Sequence, residues 1–185
     1  MPSLMRSCAI LAALALAVSA PGAQVTSSLQ SISLSATKNQ SVTLSAPSPA
    51  AQSVTLVDGQ INQYAAPFTT TVSWDVASSA VTTVKLIVYF PTPAAALTNG
   101  GDALASSLIE VSADGATWHA LTESAVGGVG TAGGSYALYS SATTSGANRK
   151  SSSVITFRVR VNLTGNAGIA AGTYSGTLHL MAICN

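Results

Sequence analysis

Charged residues are scarce in this 185-residue chain. They make up 7% of it, against roughly 25% in typical soluble domains, and seven basic residues nearly balance six acidic ones. Nucleic acid and anionic membranes both need a concentration of positive charge on the protein that binds them. We therefore expect neither as a partner.

Cysteine and histidine are nearly absent too, with two of each. Cys8 lies in the N-terminal segment discussed below, so Cys184 is the only thiol expected in the mature protein, where it is predicted to point inward. A single cysteine forms neither an intramolecular disulfide nor a cysteine-based zinc site. The acidic residues occur singly, without the spacing of a cation site. We expect no metal, no cofactor and no catalytic residue, and hence no enzymatic activity.

One glycine-rich segment matches a nucleotide-binding pattern by its letters alone. Gly128 to Gly133 read GVGTAG. The G-x-G-x-x-G pattern binds a pyrophosphate where it joins a strand to a helix, and no helical periodicity follows it here. We interpret this segment as a loop.

The N-terminus has the pattern of a secretory signal peptide. Arg6 precedes an unbroken apolar run from Cys8 to Val18, and small residues follow. The run is shorter than the roughly 20 apolar residues that span a bilayer. We predict cleavage after Ala23, which removes residues 1–23 and leaves a mature chain without a membrane span. The expected location is secreted, extracellular or at the cell surface, with the periplasm crossed in transit.

Alternation of apolar and polar residues, the pattern of β-strands, runs through residues 24–185. The segments that begin at Gln30, Gln40 and Gln52 are near-copies (QSISLSA, QSVTLSA and QSVTLVD), and each of them alternates. Further strands are predicted at Val72–Val76, Val81–Phe90, Leu108–Leu121 (a hairpin), Ile155–Leu163 and Tyr174–Cys184. About seven to nine strands with almost no helix predict an all-β protein, a single Ig-like β-sandwich over residues 24–185.

The hairpin gives the sharpest local prediction. Asp114-Gly115 is typical of a two-residue type I′ turn. That turn would place Val111 opposite Trp118, with both side chains in the core. It would also place Glu110 opposite His119 in solvent. Trp74 is expected in the core by the same alternation.

Residues 123–153 are rich in Gly, Ser and Thr. They predict either a flexible segment or two short edge strands around Tyr136 and Tyr139. Because these two tyrosines lie in this segment, they are the candidate ligand contacts of the chain.

The C-terminal residues Phe157 to Ile183 resemble the last two strands of secreted bacterial pilin-like subunits. These include the spore coat protein U and chaperone-usher groups, whose closing strand carries Gly-x-Tyr-x-Gly/Asp. Gly172, Tyr174 and Gly176 stand at the matching places. The wider pattern is also similar to uncharacterised exported β-proteins of soil bacteria. The likeness covers about half of the chain.

The resemblance implies a structural function. A pilin-like domain with an incomplete sheet exposes an unpaired edge, and a neighbour's N-terminal strand completes it. Residues 25–36 are the candidate strand, through Ile32 and Leu34, although the early cysteine of such subunits is missing. We expect an exported structural or adhesive surface protein, a fibre or coat subunit that assembles with copies of itself or with other surface subunits. The alternative is a secreted module that binds carbohydrate or another ligand through Tyr136 and Tyr139.

Overall fold

The computed structural model describes residues 31–77, 82–144, 148–166 and 168–185. The predicted signal peptide lies outside the described residues. The chain divides into two units, Met1–Thr37 and Lys38–Asn185. In the first unit, residues 31–37 are exposed and belong to no strand.

The second unit is built from β-strands, as the alternation predicted. The described residues form β1 Ser41–Leu44, β2 Ile61–Gln63, β3 Phe68–Asp75, β4 Thr82–Tyr89, β5 Leu97–Asn99, β6 Asp102–Leu104, β7 Ile109–Ser112, β8 His119–Ala120, β9 Ser135–Thr143, β10 Lys150–Asn162 and β11 His179–Cys184. Two single-turn 3-10 helices, Pro93–Ala95 and Ser106–Leu108, complete it. The strand count exceeds our expectation because several of these strands are only two or three residues long.

Two antiparallel sheets face each other across one core. The first has the order β1-β3-β10-β7-β8, with β2 paired to the C-terminal end of β10. The second has the order β11-β4-β9, and β5 and β6 form a separate hairpin. Strand β10 joins both halves of the first sheet, because Lys150–Phe157 pairs with β3 and Arg158–Val161 pairs with β7. The all-β sandwich is therefore confirmed.

Alternate residues of the long strands fill the core. Trp74 of β3, Leu86 of β4 and Phe157 of β10 are buried, and the Phe157 ring stacks on Phe68 with centroids 5.5 Å apart. Burial of each such side chain contributes roughly 1.5–3 kcal/mol. Val154 points outward from β10 and is 67% exposed. The inward and outward faces of β10 follow the predicted alternation.

The predicted register of the β7–β8 hairpin is wrong by one residue. Val111 pairs with His119 and Glu110 with Ala120. The Asp114 carboxylate accepts hydrogen bonds from the Ser112 hydroxyl and from the amides of Ala116 and Thr117, at 2.7–2.8 Å. These bonds close a loop wider than a two-residue turn, and they hold the pKa of Asp114 well below its ordinary value.

A shift of one residue moves side chains to the opposite face of a strand. Trp118 accordingly lies outside the core, with the Arg160 guanidinium carbon 4.1 Å from its ring centroid. Glu110 forms an ion pair with Arg160 instead of facing His119. The predicted core position of Trp118 and the predicted Glu110–His119 pair are therefore both wrong, whereas Trp74 is in the core.

Residues 123–153, predicted to be either flexible or two short edge strands, contain regular structure. Ser135–Thr143 form the nine-residue strand β9, and β10 already begins at Lys150. The GVGTAG stretch lies in a tight loop: Val126 and Val129 exchange backbone hydrogen bonds of 2.8 and 3.0 Å. A Cβ at Gly130 would stand 3.5 Å from the Ile87 side chain. The loop therefore covers Ile87, which explains how this outward residue of β4 is fully buried.

Candidate functional site

A groove runs between two segments of the second unit. We call residues 50–57 the edge segment and residues 171–178 the closing segment. The edge segment follows β1, and the closing segment leads into β11. Neither belongs to a named strand, and Ser175 forms an isolated β-bridge with Thr98.

Side chains, rather than a strand ladder, hold the edge segment. Up to Ser48 the chain pairs with β3, where Ser48 and Thr69 exchange backbone bonds of 2.9 and 2.8 Å. Further along, the Gln52 carboxamide bonds both backbone groups of Ala66, at 2.7 and 2.9 Å. The Asn62 carboxamide bonds both backbone groups of Val57 in the same way, at 2.8 and 3.2 Å. A carboxamide can do this because it carries both a donor and an acceptor.

Among the described residues, Thr98 of β5 is the backbone hydrogen-bonding partner of the closing segment. Ser175 and Thr98 of β5 exchange two backbone hydrogen bonds of 2.9 Å. A Cβ at Gly176 would lie 2.0 Å from the Ala96 carbonyl oxygen. A Cβ at Gly172 would lie 2.0 Å from the side-chain nitrogen of Asn99. The two glycines of the Gly-x-Tyr-x-Gly pattern therefore let this segment approach its neighbours closely.

The two segments face each other without a ladder between them. Within the described residues, no backbone hydrogen bond joins the edge segment to the closing segment. The inner part of the groove has a volume of ≈ 290 Å³ and the outer part ≈ 910 Å³. Large apolar and aromatic side chains line the inner part: Tyr64, Phe68, Phe90, Leu97, Phe157 and Leu178. Burial raises the pKa of the Tyr64 phenol, and among the described residues no Asp, Glu, Lys, Arg or His lines this inner part.

This geometry suits an extended peptide. A strand placed between the two segments could bond their free backbone groups, and its alternate side chains would reach the apolar lining. In the part of the chain that the structure describes, no three His, Cys, Asp or Glu residues are grouped so that they could hold a metal ion. The described residues likewise include no helix long and apolar enough to cross a membrane.

The structure does not bring the sequence-predicted site residues together. Tyr136 and Tyr139 lie on β9 and pack partly buried against the core. The Tyr136 ring stacks on His119 with centroids 4.5 Å apart, and neither tyrosine lines the groove. Ile32 and Leu34 are 86% and 90% exposed.

Sequence reasoning missed the residues that shape the groove. Gln52 and Asn62 read as ordinary polar residues, since nothing in a sequence shows that a carboxamide will bond a distant backbone. The sequence signal that could have pointed to the groove was the Gly-x-Tyr-x-Gly pattern, because its residues Gly172 to Gly176 lie in the closing segment.

No protein-family model matches the chain, and neither a curated protein nor a solved structure matches it. The likeness to pilin-like subunits therefore rests on the residues of the closing motif.

Proposed function

We propose that this protein is an exported structural subunit of a surface fibre or coat, and that its subunits join by β-strand addition. The observation that carries the proposal is the groove. Its inner part has an apolar lining, and among the described residues its two walls share no backbone hydrogen bond. An added strand would complete the sandwich there.

The proposed occupant is the N-terminal segment of a second copy, residues 25–36. Its residues 30–36 nearly repeat residues 40–46, and that second stretch forms β1 and turns Val42 and Leu44 toward the core. Ile32 and Leu34 have the same alternation and are almost fully exposed. The low charge of the chain adds little repulsion between copies.

The energy balance shows why backbone bonding is needed. Burying Ile32 and Leu34 would contribute about 3–6 kcal/mol together, at roughly 1.5–3 kcal/mol each. Association costs an estimated 4–15 kcal/mol in lost freedom. Over most of that range the two side chains alone do not offset the cost. Main-chain bonds to both walls, at about 0.5–1.5 kcal/mol each, would supply the remainder.

Matched charge substitutions in the added strand test the proposal. Ile32→Asp places a carboxylate on the face that would enter the apolar groove, whereas Ser33→Asp places the same charge on the opposite face. We expect size-exclusion chromatography with light scattering to show concentration-dependent polymers for the natural chain and for Ser33→Asp. Ile32→Asp should remain monomeric.

Equal polymerisation of the two variants would contradict insertion of this segment. A natural chain that stays monomeric at every concentration would contradict assembly by a second copy altogether.

A further inference from the structure

The inner part of the groove is an open cavity whose lining is held in place by the core. Phe90 and Phe157, which line it, are packed core residues and only 4% and 1% exposed. Three aromatic rings of the lining are in contact, because Phe68 stacks on Phe157 and Tyr64 meets Phe68 edge-on with centroids 6.5 Å apart. Well-packed interiors have few voids larger than a water molecule. An open space of ≈ 290 Å³ among such residues therefore has the form of a ligand site.

The size and the charge of this cavity limit what it can hold. Its volume of ≈ 290 Å³ is about twice the roughly 150 Å³ of an apolar cavity that holds one benzene molecule, which corresponds to a ligand of about ten non-hydrogen atoms. Among the described residues, its lining includes no charged side chain and no histidine. A charged ligand would lose its hydration there without gaining a partner of opposite charge. The cavity therefore favours a small neutral molecule.

One polar group of the lining is available to such a molecule. The half-buried Tyr64 lines both the inner and the outer part of the groove, and its hydroxyl makes no hydrogen bond with any described residue. The Gln52 carboxamide, which also lines the cavity, is already bonded to the backbone of Ala66. A tyrosine hydroxyl usually finds a hydrogen-bond partner when its ring is buried. The Tyr64 hydroxyl can therefore bond the polar end of a ligand whose apolar body lies in the inner part.

We propose that the inner part of the groove binds a small neutral amphipathic molecule, with its alkyl or aromatic body among the phenylalanine rings and its hydroxyl or carbonyl oxygen on Tyr64. Such a ligand would occupy the space that the Ile32 or Leu34 side chain of a second copy must enter. It would therefore also block strand addition, so that a chain holding the ligand stays unassembled. This regulatory effect rests on the function proposed above, whereas the binding of the ligand does not.

Isothermal titration calorimetry with 1-octanol tests the binding on the Ile32→Asp chain, whose groove should stay free of an added strand. We expect 1-octanol to bind, and octanoate, its anionic counterpart at neutral pH, to bind at least about tenfold more weakly. Adding Tyr64→Phe keeps the ring and removes only the hydroxyl, so it should weaken the binding of 1-octanol by about two- to tenfold. The matched control is Tyr139→Phe on β9, which removes a tyrosine hydroxyl outside both parts of the groove and should leave the affinity unchanged.

The ligand site would be overturned by a lack of 1-octanol binding, by equal binding of octanoate, or by an unchanged affinity in the Tyr64→Phe chain. Light scattering of the natural chain tests the regulatory effect. Saturating 1-octanol should shift its polymers toward the monomer, and polymers of unchanged mass despite binding would refute that effect. A natural chain that is monomeric without 1-octanol, yet binds it, would contradict strand addition and leave the ligand site in place.

Discussion

Substitution of Gly176 by alanine probes the wall of the groove. An alanine Cβ there would lie 2.0 Å from the Ala96 carbonyl oxygen and 2.9 Å from a Leu97 methyl group. The closer neighbour, the Ala96 carbonyl, belongs to backbone that is held in place. The Ala96 amide bonds the Leu104 carbonyl at 2.9 Å, and Ser175 is bridged to Thr98. The added methyl group must therefore break backbone pairing or strain it.

The expected loss follows from those two contacts. Overpacking in a well-packed site costs about 1–3 kcal/mol, and each lost backbone hydrogen bond costs about 0.5–1.5 kcal/mol. We expect Gly176→Ala to lower the free energy of unfolding by about 2–3 kcal/mol. In a domain of this size, that loss lowers Tm by about 4–12 °C.

Gly101→Ala is the matched control. A Cβ at Gly101 would have no atom within 4 Å. Its effect should stay within about 0.5 kcal/mol, as at other unconstrained surface sites. Urea unfolding followed by tryptophan fluorescence measures both variants. If Gly176→Ala were as stable as Gly101→Ala, the close packing of the closing segment against Ala96 would be refuted.

Three further predictions concern the sandwich itself. Phe157→Ala should lower the free energy of unfolding by about 3–5 kcal/mol, whereas Val154→Ala on the same strand should change it by less than about 0.5 kcal/mol. If urea unfolding showed the same loss of free energy for both variants, the assigned faces of β10 would be contradicted. Gln52→Ala removes both bonds to Ala66 and should cost about 1–2 kcal/mol, with faster hydrogen exchange at the Ala66 amide, which donates to the Gln52 side chain; unchanged exchange at Ala66 would refute the anchoring role of Gln52. Asp114→Ala should destabilise the chain at neutral pH. Because the pKa of Asp114 is lowered in the folded state, the stability that its carboxylate contributes is lost as the pH falls below the ordinary pKa of 3.8. Thermal melts should therefore show the difference in Tm between the natural chain and the variant shrinking at low pH; a difference independent of pH would contradict this.

The strands that the sequence predicted well are those whose burial pattern is local. In β10, Ile155 and Phe157 point inward and Arg158 points outward, as alternation requires. The pleat alone fixes these faces once the residues form a strand. The all-β sandwich follows from such local patterns, summed over the chain.

What could not be predicted depends on bonds between distant or irregular positions. The edge segment alternates like β1 but joins no ladder, and the Gln52 side chain instead bonds the backbone groups of Ala66. The register of the β7–β8 hairpin depends on the bonds that Asp114 accepts within its own loop. A turn motif does not reveal such bonds, so the position of Trp118 could not be predicted either.

Strand addition is tested most directly by removing and then resupplying the proposed strand. Light scattering after size-exclusion chromatography would compare the chain from Gln24, the predicted mature start, with a chain from Lys38, each with and without a peptide of residues 24–37. We predict polymers from the first chain and a monomer from the second. The peptide should bind that monomer one to one and shorten the polymers of the longer chain. Equal masses for both chains, together with a peptide that binds neither, would contradict assembly through the groove.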